Sequence, residues 1–277
     1  MSHAPIDADA FNRFEHAGWE KVADPYHRFW APVTGRVIDP LLDDAGVAAG
    51  SRVLDVATGP GHVAARAAAR NASVIGLDIA HQMLALARAL HPLLEFRQGS
   101  VEELPFPDAT FDAVVGNFVI LHVGRPERAV AECARVLKPG GRLALSVWDV
   151  PEQARILGVF VDAVQLAAAT PPASVPPGPP FFRFAEDREF SALLEGVGLS
   201  GVGVRPVAFA HRLPGADAWW HGALGGGVRT TALIRSQTPE MQARIRSAFD
   251  SQARAYDTGD GFEVPVSVKL ASGAKRE

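Results

Sequence analysis

The chain contains little of what several protein classes require. Its 277 residues include one cysteine, Cys133, so neither a disulfide framework nor a paired-cysteine metal site is available. No apolar stretch reaches the roughly 18 residues of a membrane-spanning helix. The first residues also lack the basic and then apolar pattern of a secretory signal. We therefore expect a cytoplasmic protein with no membrane partner.

An excess of positive charge is also absent. Lysine and arginine total 27 against 31 aspartate and glutamate residues, which gives a formal net charge of −4. Proteins dedicated to nucleic acid are usually basic, so we expect no nucleic-acid partner. The nine histidines include no pair at helical spacing beside an acid, and we expect no metal site. The oligomeric state stays open.

Short apolar runs alternate with helical patterns along most of the chain. Seven strands are predicted, at 52–56, 73–77, 94–97, 111–115, 142–148, 202–211 and 262–270. Alternation of strands and helices is typical of parallel sheets with helical crossovers. We predict an α/β fold, a doubly wound sheet of six parallel strands and a last antiparallel one, with helices on both faces and a helical cap.

The strongest motif is a glycine-rich turn that follows the first strand. Residues 53–64 read VLDVATGPGHVA, and Asp78 ends the next strand about twenty residues later. Glycines let a ligand approach the backbone, and the following helix N-terminus offers unpaired N–H groups. An acid at the position of Asp78 can accept hydrogen bonds from ribose hydroxyls. Gly59, Gly61 and Ala64 also fit a dinucleotide-binding pattern, so an NAD(P)-dependent oxidoreductase is one alternative. A structural turn that binds no ligand is another.

Further motifs follow the turn in a fixed order. They are LDVATGPG at 54–61, GLDI at 76–79, GSVEELPF at 99–106, FDAVV at 111–115 and RVLKPGG at 135–141. In this order and spacing the chain resembles the class I S-adenosylmethionine-dependent methyltransferases, in the small-molecule branch that includes quinone-biosynthesis enzymes. The resemblance implies S-adenosylmethionine as cofactor and methyl transfer to a small-molecule acceptor by in-line displacement.

Two other functions remain as alternatives to methyl transfer. The oxidoreductase is disfavoured because its motif match stops after Asp78. A protein that binds S-adenosylmethionine without methylating, such as a cyclase, is not excluded by these motifs. No Asn-Pro-Pro-Tyr segment follows the fourth strand, where the chain reads Gly116-Asn117-Phe118-Val119, and this disfavours methylation of nucleic-acid amino groups.

The resemblance also implies which residues contact the cofactor. Asp55 would orient the glycine loop, Asp78 would bind the ribose hydroxyls, and Ile79 with Met83 would face adenine. Ser100 stands where many relatives carry aspartate, so its hydrogen bond to adenine should be weaker. The complete set is Asp55, Ala57, Gly59, Gly61, Asp78, Ile79, Met83, Ser100, Val101 and Asn117.

Candidates for catalysis lie outside these motifs. His122 follows the fourth strand and could act as general base on the acceptor, or it could be a hydrogen-bonded residue of the site wall. Tyr26 is the second candidate. Such a base is needed only if the acceptor must lose a proton. His62, in the first turn of the helix after the glycine loop, is expected to be a spacer.

Composition and motifs divide the chain into three parts. Residues 1–50 are rich in aromatics and predict an N-terminal helical lid, and 51–150 form the S-adenosylmethionine-binding core. Residues 151–277 complete the sheet and supply cap insertions and the acceptor region. Within this last part we expect 222–227 to be a flexible stretch, and the tail from 271 to be frayed.

Overall fold

One seven-stranded sheet organises the molecule. The computed structural model describes residues 6–173 and 175–277. The strands are β1 (Arg52–Val56), β2 (Ser73–Asp78), β3 (Glu95–Gln98), β4 (Phe111–Asn117), β5 (Leu137–Trp148), β6 (Leu199–Leu213) and β7 (Phe262–Lys275). Their order across the sheet is β3-β2-β1-β4-β5-β7-β6. β1 to β5 pair in parallel, and β7 is antiparallel to both β5 and β6, which confirms the predicted topology.

Helices connect the strands and extend beyond one edge of the sheet. They are α1 (Ala8–Trp19), α2 (Ala23–Phe29), α3 (Ala31–Thr34), α4 (Ile38–Asp44), α5 (His62–Ala69), α6 (His81–Leu90), α7 (Pro126–Val136), α8 (Arg155–Leu166), α9 (Asp187–Glu195), α10 (Ala216–Gly226), α11 (Arg229–Arg235) and α12 (Pro239–Ala253). The strand order reverses between β1 and β4. Right-handed crossovers therefore place α5 and α6 on one face and α7 on the other.

The central strands are buried on both faces. Every residue of β1 after Arg52 and of β2 after Ser73 is buried, as expected for short apolar runs inside a parallel sheet. β6 lies at the sheet edge, and most of its residues keep some exposure. Because parallel strands end together, the carboxyl ends of β1, β2 and β4 form a crevice at the point where the strand order reverses.

Two local predictions about the C-terminal part are wrong. Gly222 and Gly226 lie inside α10 rather than in a flexible stretch. A Cβ on Gly226 would lie 2.8 Å from Trp30 Cδ1 and 2.9 Å from Tyr26 Cα, so glycine allows α10 to approach α2 closely. The tail is not frayed up to residue 275, because 271–275 continue β7 and pair with β5 or β6.

The N-terminal helices pack against the C-terminal part of the chain. The Trp30 indole donates a hydrogen bond to the Ala223 carbonyl at 3.3 Å, and α2 packs along α10. Of the predicted lid, residues 1–5 lie outside the described residues. Among the described helices, none combines the length and apolar character needed to cross a membrane.

Candidate functional site

A cavity opens at the carboxyl ends of β1, β2 and β4, beneath α1, α2, α10 and α11. Most of the sequence-predicted site residues line it, namely Tyr26, Ala57, Gly59, Asp78, Ile79, Met83, Ser100, Val101, Asn117 and His122. Asp55 and Gly61 do not line it. The structure therefore brings the predicted residues together around one cavity.

The glycine loop presents its backbone to this cavity. Ala57 and Gly59 both have φ of 53°, in the left-handed region. A Cβ on Gly59 would meet no atom within 4 Å, so this part of the loop is open to a ligand. Gly61, with φ of 82°, precedes α5, and a Cβ there would lie 2.8 Å from the Phe96 ring. Gly61 therefore serves the packing under the loop rather than the cavity wall.

Asp55 holds the glycine loop from below. Its Oδ2 accepts hydrogen bonds from Thr58 Oγ1 and from the Ala64 N–H, the latter at 3.0 Å. Its Oδ1 is buried and has no partner among the described residues. Burial raises the pKa of Asp55 to about 7, against the hydrogen bonds that lower it. This geometry agrees with the orienting role that the resemblance implies.

Asp78 lies at the end of β2 and faces the cavity. Its Oδ2 accepts from the Gly59 N–H at 2.8 Å, and its Oδ1 accepts from the Ala80 N–H at 2.9 Å. The two oxygens together offer about four acceptor sites, so the carboxylate keeps acceptor capacity for a ligand. Burial raises the pKa of Asp78 to about 6. A buried acid with free acceptor capacity beside an open glycine loop fits a ribose with two hydroxyls.

Ser100 and Asn117 already hold internal partners. Ser100 Oγ accepts from the Glu102 N–H at 3.1 Å, within the turn after β3. Asn117 Nδ2 donates to the Thr34 carbonyl at 3.2 Å, and its Oδ1 accepts from Ser146 Oγ at 2.6 Å. The Asn117 amide thus ties β4 to β5 and to α3, and it shapes the cavity floor.

His122 also lines the cavity, from the turn after β4. Its Nδ1 is 3.0 Å from Glu15 Oε2, and the same carboxylate oxygen accepts from Trp19 Nε1 at 3.0 Å. Glu15 is 2% exposed, on the buried side of α1 together with Phe11. The sequence analysis missed Glu15. The available signal was one acid placed four residues from both Phe11 and Trp19, on the apolar side of a predicted helix.

A half-buried cation accompanies Glu15. The Arg229 guanidinium lies over the rings of Phe11 and Phe181, at 5.1 and 5.3 Å from their centroids. It donates to the Pro179 carbonyl at 3.1 Å and lines the cavity. Burial lowers the pKa of Arg229, while attraction to Glu15 raises it. Arg229 is a second residue that the sequence analysis did not identify.

Tyr26 and His62 differ from their predicted roles. Burial raises the pKa of Tyr26 above its ordinary value, with hydrogen bonding to Thr34 acting in the opposite direction. The phenol therefore keeps its proton at neutral pH and is a poor candidate for a base. His62 is not a spacer, because it lines the cavity and its Nε2 lies 3.0 Å from His27 Nδ1 on α2. Burial lowers the pKa of His62 to about 4, so the His62 imidazole is neutral at neutral pH.

The remaining walls are apolar and largely aromatic. Phe118 and Trp148 have ring centroids 4.3 Å apart, and Trp30 is 5.7 Å from Trp148. Leu157 and Phe160 of α8 also line the cavity. Within residues 6–173 and 175–277, no group of three or more metal-ligating side chains is placed to hold a metal ion. The cavity can hold an apolar molecule next to two hydrogen-bonded pairs, Glu15–His122 and His27–His62.

Comparison with known proteins agrees with this geometry. Residues 54–145 match a family model described as a methyltransferase domain. A demethylmenaquinone methyltransferase of Renibacterium salmoninarum is 38% identical over 111 residues, 40% of this chain and 47% of the relative. A ubiquinone biosynthesis O-methyltransferase of Chromobacterium violaceum is 31% identical over 226 residues, 75% of this chain and 90% of the relative.

The solved structures give the same fold. The YcgJ protein of Bacillus subtilis superposes with a TM-score of 0.57 at 23% identity, over 88% of this chain and 99% of that one. The chain spans about half the length of the first of its curated relatives and most of the Chromobacterium protein. These matches favour the methyltransferase resemblance over the oxidoreductase alternative. The chain belongs to the class I S-adenosylmethionine-dependent methyltransferases.

Proposed function

We propose that the protein binds S-adenosylmethionine between the glycine loop and Asp78, and that it transfers the methyl group to a small-molecule acceptor. The observation that carries this proposal is the Asp78 carboxylate, which is buried in the cavity wall, is bonded to the Gly59 N–H and keeps acceptor capacity for a ligand. A ribose hydroxyl can donate to that carboxylate.

The cofactor contacts follow from the positions of the lining residues. Asp78 binds the ribose hydroxyls, and the open backbone at Gly59 receives the methionine part. Ile79, Met83 and Val101 line the cavity beside Asp78 and offer an apolar surface for adenine. Ala57, Ser100 and Asn117 complete this wall, while Asp55 and Gly61 hold the loop from below.

Methyl transfer requires little of the protein beyond alignment of the reactants. S-adenosylmethionine supplies a methyl carbon that is already electrophilic because it is bonded to a sulfonium. The residues of the chain hold the acceptor in line with that carbon and exclude water. In this proposal the described residues of the 1–50 part form the lid, 51–150 bind the cofactor, and the described residues of the 151–277 part complete the sheet and supply the acceptor wall.

An apolar small molecule is the acceptor that the cavity suits. Its walls beyond the cofactor end carry Trp30, Phe118, Trp148, Leu157 and Phe160. A net charge of −4 does not favour a nucleic-acid acceptor. Two of the curated relatives carry a quinone in their names, which also supports an apolar acceptor.

Calorimetry with four ligands tests the proposal. We expect S-adenosylmethionine and its demethylated product, S-adenosylhomocysteine, to bind with dissociation constants of roughly micromolar order. NADH and NADPH should give no heat of binding. Tight binding of NADPH together with no response to either sulfur ligand would refute the cofactor assignment.

A further inference from the structure

The contacts around His122 indicate a catalytic role rather than a purely structural one in the acceptor site. We propose that Glu15 and His122 form a general-base pair that removes the proton from a hydroxyl group of the acceptor, with His122 as the catalytic residue and Glu15 as its positioning residue. This inference rests on the proposed function and names the kind of acceptor that the site takes.

The hydrogen bond between the two residues fixes which nitrogen is basic. Glu15 Oε2 accepts from Trp19 Nε1 and lies 3.0 Å from His122 Nδ1. A carboxylate can only accept, so Nδ1 carries the imidazole proton and Nε2 carries the lone pair. The His122 side chain is 19% exposed and lines the cavity. Among the described residues, none forms a hydrogen bond with Nε2.

The imidazole ring is held in place by aromatic neighbours. The Trp19 ring stands perpendicular to it with a centroid distance of 4.9 Å, and the Phe181 ring lies 5.8 Å away on an edge contact. Two rings and one hydrogen bond therefore fix the orientation of His122. A base that must meet a bound acceptor needs this restraint on its geometry.

Burying the Glu15 carboxylate costs free energy, and orienting a histidine does not by itself require that cost. The carboxylate is buried, and its Oε1 has no hydrogen-bond partner among the described residues. A backbone carbonyl would suffice to orient a histidine of the site wall at less expense. A carboxylate is favoured where the imidazole becomes positively charged, because the two opposite charges then stabilise each other.

The other charges nearby are already compensated. Arg229 on α11 lies between Phe11 and Phe181 and attracts Glu15. Glu102 is bonded to Arg125, and His16 is paired with Glu20. Of these charged groups, Glu15 is the one hydrogen-bonded to His122.

The proposed step balances protons and electrons. His122 Nε2 takes the hydroxyl proton as the acceptor oxygen forms a bond to the methyl carbon. The carbon–sulfur bond breaks, and the sulfur keeps its electron pair. The imidazolium is stabilised by Glu15 and then releases the proton to solvent. A neutral amine needs no base for its attack, so the pair indicates a hydroxyl carried on an apolar body.

A chromogenic phenol tests the pair without knowledge of the natural acceptor. 4-Nitrophenol absorbs visibly only as the phenolate, and it titrates near neutral pH in water. We expect that, about one pH unit below its solution pKa, 4-nitrophenol bound to the S-adenosylhomocysteine complex has the phenolate spectrum. In His122→Gln the bound probe should be the neutral phenol. In Glu15→Gln the ratio of bound phenolate to phenol should fall about tenfold, since the amide no longer supplies the negative charge that stabilises the imidazolium.

Matched substitutions far from the pair serve as controls. His221→Gln changes an exposed histidine of α10, and Glu103→Gln changes an exposed acid. Neither should alter the spectrum of the bound probe. Bound probe that stays neutral in the unmodified protein, no binding of millimolar probe, or a phenolate spectrum unchanged in His122→Gln would each overturn the proposal.

Calorimetry separates this inference from the proposed function. If S-adenosylhomocysteine binds to the unmodified protein and to both variants while the probe stays neutral, the general-base pair is wrong and the cofactor assignment stands. If S-adenosylhomocysteine does not bind to the unmodified protein, the proposed function itself fails. If Glu15→Gln loses binding because it does not fold, the spectrum of the probe on the unmodified protein still decides.

Discussion

The two ends of the cavity are built in different ways. At the cofactor end, backbone groups of the loop after β1 meet an acid at the end of β2, and Asp78 accepts from Gly59 only 19 residues earlier. At the acceptor end, side chains of cap helices meet the turn after β4, and Glu15 contacts His122 across 107 residues of chain. One end is thus fixed by the sheet, whereas the other depends on how the cap packs.

This difference predicts which changes affect which ligand. Substitutions at the sheet end should weaken the cofactor and leave the acceptor chemistry intact. Substitutions in the cap should alter the acceptor end and leave the cofactor affinity nearly unchanged. The following substitutions test whether the two ends are independent.

The largest effect is expected from Asp78→Ala. The substitution removes charge-assisted hydrogen bonds to two buried hydroxyls and to the loop, so we expect S-adenosylhomocysteine affinity to fall by roughly 2–4 kcal/mol. Calorimetry measures this loss. Asp108→Ala, at an exposed acid paired with Arg135, is the control and should bind normally. Normal binding by folded Asp78→Ala would place the cofactor elsewhere.

The next effect concerns the close packing of the cap. In Gly226→Ala the new methyl group would lie 2.8 Å from Trp30 and 2.9 Å from the Tyr26 backbone, so α2 and α10 must separate. We expect a loss of about 1–3 kcal/mol in the free energy of unfolding. Gly225→Ala is the matched control in the same helix, because its Cβ would lie 3.6 Å from Pro25, an ordinary contact.

The two glycine variants should also differ in ligand binding. Gly226→Ala should reduce 4-nitrophenol binding more than S-adenosylhomocysteine binding, because only the cap is displaced. Gly225→Ala should match the unmodified protein in both and be slightly more stable, since alanine favours a helix. Equal loss of both ligands in Gly226→Ala would show that the two ends are coupled through α2.

Much of the sheet end was predictable from the sequence. Strands, turns and acids such as Asp55 and Asp78 recur within short segments, so local pattern and motif spacing place them correctly. The sequence analysis missed Glu15 and Arg229 because their roles arise from contacts between distant helices. It also misjudged Gly222–Gly227, where glycine indicated flexibility but serves close helix packing. A local sequence pattern does not indicate which distant helix a glycine packs against.

The pH dependence of cofactor binding provides the third prediction. Burial raises the pKa of Asp78 to about 6, and ribose hydroxyls donate best to the ionised form. As pH falls below about 6 the acid takes up a proton, and S-adenosylhomocysteine affinity should fall by up to about tenfold per pH unit. Above that pH, affinity should be constant with respect to this group.

Asp78→Asn isolates the contribution of this acid. The variant should bind more weakly at neutral pH and show a flatter profile. Asp55, whose pKa is raised to about 7 by burial, titrates beneath the loop and accounts for any slope that remains. A profile identical to that of the unmodified protein would assign the pH dependence to Asp55 and the loop.

The smallest effect is expected from Trp19→Phe, and its direction distinguishes two roles for Trp19. The indole N–H donates to Glu15 Oε2 at 3.0 Å, the oxygen that also receives His122 Nδ1. Without this donor, more of the carboxylate charge acts on the imidazolium, which should favour proton transfer from the bound phenol to His122. We expect the bound phenolate-to-phenol ratio of 4-nitrophenol to rise roughly threefold, a change of about 0.6 kcal/mol. S-adenosylhomocysteine affinity should be unchanged. A fall in the ratio, as in Glu15→Gln, would instead mean that Trp19 acts by holding the Glu15 carboxylate in position.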